Sequence, residues 1–141
     1  MLAAPRGSPV DTIEPTDTSH AGGALRSTIS NAVVKTFSEF TGRGPTRART
    51  HIVDNLVVCL LEDTLTKGER SLVADGQNED VRFMRRRFQD GMRRMLCDSV
   101  ETLTGRRVVA MMSDNHIDPE LSVEVFVLDG APGNGPADLV G

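Results

Sequence analysis

Two short segments and one helix-forming run hold the side chains able to do chemistry. Gly42-Arg43-Gly44-Pro45-Thr46-Arg47-Ala48-Arg49 combines glycines, which expose backbone N–H groups, with three arginines suited to holding a carboxylate or phosphate through paired N–H bonds. Arg43, Gly44, Arg47 and Arg49 are therefore candidate ligand or partner contacts, with His51 and Glu62 beside them. The segment is not a P-loop, because its glycines follow a helix pattern instead of preceding one and no Gly-Lys-Ser/Thr closes it. Turn chemistry at a helix C-terminus, where arginine complements the dipole, is the simpler alternative. Asp114-x-His116-x-Asp118 offers three potential metal ligands, and a divalent ion held there would activate water for hydrolysis. Against this, three ligands bunched in five residues rarely close a site, and Asp118-Pro119 is an ordinary turn opener. Arg82, Arg85, Arg86, Arg87, Arg93 and Arg94 make one run basic and raise a nucleic-acid reading. Glu79, Asp80 and Asp90 interrupt that run, and the chain has no Trp or Tyr to stack bases, so a solvated helix face is preferred. Neither GxSxG nor GxGxxG occurs. No catalytic residue and no cofactor is assigned, and a non-enzymatic role is expected.

The elements that position these residues follow from periodicity. Leu25, Ile29, Val33, Phe37 and Phe40 recur at helical spacing, and Gly42 and Gly44-Pro45 end the helix. Two β-type runs then flank Asp54-Asn55, a pair suited to a tight turn. A two-residue turn pairs Val53 with Leu56, His51 with Val58, Arg49 with Leu60 and Arg47 with Glu62. Ala48, Thr50, Ile52, Val57, Cys59 and Leu61 then make the face chosen for the core. The opposite face mixes Arg47, Arg49 and His51 with Leu56, Val58, Leu60 and Glu62, too apolar for water alone and too charged for a core. It is assigned as a subunit interface, with Leu56, Val58 and Leu60 as the contact of a homodimer.

Thr66-Lys67-Gly68-Glu69 has capping-box spacing and starts a short helix. A longer helix follows, with Val81, Met84, Phe88, Met92, Met95, Ser99 and Leu103 expected on its buried side and Gly105 at its end. Residues 106–114 read as a strand, 115–120 as a loop, and 121–129 as a last strand with Leu121, Val123, Val125 and Val127 on one face. The expected fold is a two-layer α+β domain, order α-β-β-α-α-β-β, with a four-stranded, mainly antiparallel sheet covered by helices on one face. The two halves look like one α-β-β unit occurring twice.

Composition bounds the rest. The 141 residues, with 16 Lys+Arg against 20 Asp+Glu, suit one domain at 22–130. Residues 1–21 and 131–141 mix Pro, Gly, Ser, Thr and acids without an aliphatic pattern and are expected to be disordered tails. No apolar run has bilayer length and no secretory h-region is read, so the expected compartment is the cytoplasm. Cys59 and Cys97 lack ligand spacing and read as reduced core residues.

Residues 26–129 resemble the MpsC-like family of small bacterial proteins. The resemblance is carried by Gly42-Arg43-Gly44-Pro45 with Ala48-Arg49, by Asp54, by Leu65-Thr66-x-x-Glu69, and by Thr104-Gly105-Arg106 before a strand ending Ser113-Asp114. The family takes its name from a component of a proposed Na+-translocating, membrane-potential-generating system. The resemblance implies an accessory role beside ion or inorganic-carbon transport, through membrane-complex subunits and without insertion of this chain. It carries over no active site.

Overall fold

The structure, a computed structural model, describes residues 16–133, with side chains from 22 onward. The element order is α1 (Thr16–Thr41), β1 (Arg47–Val53), β2 (Leu56–Glu62), α2 (Lys67–Ala74), α3 (Asn78–Thr104), β3 (Val108–His116) and β4 (Leu121–Leu128). This is the expected α+β order, and the four strands form one antiparallel sheet in the order β1-β2-β4-β3. The tails expected to be disordered fall mostly outside the described residues, although α1 begins at Thr16, inside the first of them.

The first hairpin has the register that its turn dictates. Asp54 adopts φ 55, and Val53 pairs with Leu56, His51 with Val58, Arg49 with Leu60 and Arg47 with Glu62. An aspartate tolerates this left-handed conformation because its short polar side chain can bond locally. The helix-facing side of the sheet supplies Val57, Cys59, Leu61, Met111, Phe126 and Leu128, which pack with Ile29, Val33 and Phe37 of α1 and Met92, Leu96 and Val100 of α3. A smaller cluster of Leu65, Val81 and Ile117 seats α2. The α2 capping box is complete: Thr66 N–H donates to Glu69 Oε1 at 2.8 Å and Glu69 N–H donates to Thr66 Oγ1 at 3.2 Å. Both cysteines are free, Cys59 buried and Cys97 partly so.

Three expectations change. The buried stripe of α3 runs through Val81, Arg85, Gln89, Met92, Leu96, Val100 and Thr104. It is rotated from the one read through Met84, Phe88 and Met95, and Met95 is 41% exposed. Arg85 and Gln89 are drawn inward because carboxylates on α2 and β4 bond them there, which no helical pattern can show. Phe40 also leaves the core (41% exposed) and packs edge-on to Phe88, over Gly91 of α3. Finally, β3 continues through His116, so Asn115 and His116 belong to a strand instead of a loop.

The α-β-β repeat is visible in local detail. Gly42 and Gly105 take φ 86 and 70 after their helices. Thr41 Oγ1 accepts from the Arg43 N–H at 3.4 Å, and Thr104 Oγ1 accepts from the Arg106 N–H at 3.2 Å. Each arginine then reaches carbonyls beyond the second strand of its own hairpin: Arg43 those of Asp63 and Leu65, Arg106 that of Ala131.

Candidate functional site

The helices cover one sheet face and leave the other open. On the open face the register builds four rows across β1, β2, β4 and β3. Arg47, Glu62, Leu121 and His116 form the first row, and Arg49, Leu60, Val123 and Asp114 the second. His51, Val58, Val125 and Met112 form the third, and Val53, Leu56, Val127 and Ala110 the last. Because β2 and β4 are the inner strands, the centre of this face is wholly aliphatic except for Glu62 at one end. Leu56, Val58, Leu60, Leu121, Val123, Val125 and Val127 are only partly shielded, while Val53 and Met112 at the margins are 61% and 54% exposed. Contiguous apolar surface of this kind, rimmed by polar groups, makes this face the candidate site.

Of the predicted contacts, Arg47, Arg49, His51 and Glu62 share this face with Leu56, Val58 and Leu60. Glu62 Oε2 lies 3.8 Å from Arg47 Nε and 3.7 Å from Arg49 Nη2. Both arginines stay exposed, so these long pairs contribute little stability and leave the guanidinium groups free to find other acceptors. Arg43 is placed differently. Its Nη1 donates to the carbonyls of Asp63 (2.6 Å) and Leu65 (3.0 Å), and its Nη2 to Asp63 Oδ2 (2.7 Å). Arg43 thus ties the loop after β2 to the end of α1. Gly44 allows the same close approach: a Cβ there would stand 3.2 Å from both the Val34 carbonyl oxygen and Ser38 Cβ. Asp63 continues into a network in which Arg70 bonds both it and Glu120. A hydrogen bond from Thr46, then Arg43, holds the Asp63 carboxyl below its usual range, and Arg70 does the same for Glu120.

The metal candidates do not converge. The Asp114 carboxylate accepts from the Asn115 N–H at 2.8 Å, and His116 Nδ1 donates to the Pro119 carbonyl at 2.9 Å. Asp118 stands in the turn beyond them. Among the described residues no three His, Cys, Asp or Glu side chains are grouped to hold a metal ion. In the arginine-rich helix, Arg82, Arg86, Arg87, Arg93 and Arg94 are exposed, but Arg85 is buried. Arg93 donates to the Met111 carbonyl at 2.7 Å.

Two buried polar groups escaped the sequence reading. Glu124 sits on the helix-facing side of β4, where Gln89 Nε2 donates to its Oε2 at 2.7 Å and Ser113 Oγ to its Oε1. Gln89 Oε1 accepts from Asn115 Nδ2 at 2.7 Å, and Asn115 Oδ1 accepts from Ser122 Oγ at 2.7 Å. Burial pushes the Glu124 carboxyl up to about 7, against the lowering effect of these bonds. Its signal in the sequence was strand alternation, which puts Glu124 on the same side as Phe126 and Leu128. The second is the Arg85–Glu69 pair, 3.2 Å apart with both side chains 1% exposed. The Arg85 guanidinium lies 5.9 Å from the ring centres of Phe37 and Phe88. Its Nε and Nη2, and Glu69 Oε2, have no hydrogen-bond partner among the described residues.

Fold and face together define a small two-layer α+β domain with one sheet surface left uncovered among the described residues. The chain belongs to the MpsC family, described as the Na+-translocating membrane potential-generating system, whose profile matches residues 21–130. It is also 28% identical over 103 residues to YrhF of Bacillus subtilis (strain 168), described as an uncharacterized protein, covering 72% of this chain and 84% of that one. No solved structure matches. No helix among the described residues is long and apolar enough to cross a membrane.

Proposed function

We propose that this chain is a non-enzymatic accessory module of a Na+-dependent transport or membrane-potential system. It acts in the cytoplasm and works through its open sheet face. The observation that carries this reading is that face: a continuous aliphatic centre on β2 and β4 that nothing in the chain's described residues covers. The description of the family supports the setting. Arg47 and Arg49 at the rim give the surface orientation, since charged rims steer and register apolar contacts.

The test is genetic and biophysical. Cells lacking the protein should show a reduced Na+-dependent membrane potential, restored by the wild-type chain and not by Leu60→Asp, which places a carboxylate at the centre of the face. An unchanged potential in the deletion strain, or full restoration by Leu60→Asp, overturns the proposal.

A further inference from the structure

We infer that the occupant of the open face is a second copy of this chain, packed sheet to sheet about a two-fold axis parallel to the strands. The inference rests on the reading of that face as the working surface and adds its partner and its geometry. In the second row of the face the two edges carry complementary charge. Arg47 and Arg49 stand on β1, Asp114 stands on β3, and Leu60 and Val123 separate Arg49 from Asp114 in one row.

A two-fold axis along the strands keeps each row opposite the same row of the other copy while exchanging the edges. Arg49 then faces Asp114 of the partner subunit, and Asp114 faces the partner's Arg49, so one contact is made twice. Leu60 and Val58 lie against the partner's Val123 and the partner's Val125, so the apolar centre closes on itself except in the end row, where Glu62 meets the partner's Leu121 and Arg47 the partner's His116. A two-fold across the strands instead sets β1 against β1. It would bring Arg49 toward the partner's His51 and leave Asp114 against the partner's Met112. Both arrangements keep the strands of the two sheets aligned, so it is charge that selects the first.

Size agrees with a reversible dimer. Strand and residue spacings give the face roughly 500 Å² per copy, and about 1,000 Å² in total is the lower end for specific interfaces. Arg49 is free to take the new partner, being half exposed and only 3.7 Å paired with Glu62.

Sedimentation velocity on the full chain at micromolar concentrations tests this. The wild type should be a dimer and Leu60→Asp a folded monomer with an unchanged far-UV circular dichroism spectrum. Arg49→Asp and Asp114→Arg should each raise the dissociation constant by about tenfold or more, through like charges brought face to face. The double variant Arg49→Asp/Asp114→Arg should recover most of the loss, because the pair is re-formed with its signs exchanged. A double variant as weak as the two singles combined overturns the axis. A monomeric wild type overturns the second copy as occupant, even where Leu60→Asp abolishes the cellular potential and the face itself is upheld.

Discussion

Gln89 Nε2 donates to Glu124 Oε2 at 2.7 Å, joining α3 to β4 through the buried side of the sheet. The bond draws a polar residue of α3 into the core and gives a buried carboxyl a donor. Burial nevertheless outweighs the donors and raises the Glu124 carboxyl from its ordinary 4.5 to about 7.

The consequence for stability has a definite sign. Between pH 4.5 and about 7 the folded chain holds a proton on Glu124 that the unfolded chain has lost, so stability falls as pH rises through this window. The full shift corresponds to about 3 kcal/mol as an upper bound. Thermal melts at pH 5 and pH 8 should differ by on the order of 10 °C, the lower pH being more stable. Glu124→Gln, which keeps the size of the side chain and removes the titration, should flatten the profile. A variant with the wild-type slope would assign the dependence to another group.

Asp63 and Glu120 set the opposite limb. Their carboxyls are held below the ordinary range, so their stabilisation is complete above that range and is lost as pH falls through the lowered values. Arg70→Gln should therefore lower stability at neutral pH and make the acid loss shallower, the two proteins converging once both carboxyls are protonated. Urea unfolding across the acid range measures this, and parallel curves for the two proteins would contradict it.

The Arg85–Glu69 pair should behave as a coupled unit. Removing one charge strands the other in a dry site, so Arg85→Met should destabilise by about 3–5 kcal/mol. Arg85→Met combined with Glu69→Gln, which retains an acceptor for the Thr66 N–H, should be less destabilised than Arg85→Met alone. Additive effects in chemical denaturation would mean that the two side chains do not interact.

Loss of the α2 cap is a smaller, local effect. Thr66→Ala removes the acceptor for the Glu69 N–H and should cost about 1 kcal/mol, a fall in melting temperature of roughly 3–5 °C. Faster amide exchange confined to α2 would identify the cause, and an unchanged melting temperature would refute it.

Features that depend on near neighbours were legible in the chain alone. Asp54-Asn55 and strict alternation set the first hairpin's register, because slipping one residue would turn Val57, Cys59 and Leu61 to water. Thr66 and Glu69 announced their own capping box, and Thr-Gly pairs marked both long-helix ends. The charged rim was legible for the same reason, since Arg47, Arg49, His51 and Glu62 follow from that one register. Features that need a distant partner arose only when the elements packed together. Pairing of β2 with β4 set Val123, Val125 and Val127 beside Leu60, Val58 and Leu56, and it placed Asp114 at the far edge from Arg49. The rotation of α3 was likewise invisible, because a helix rich in arginine and methionine presents more than one plausible buried stripe. Glu69 on α2 and Glu124 on β4 chose among them by giving Arg85 and Gln89 buried partners, and hydrogen-bond pairing across elements leaves no periodic trace in a single segment.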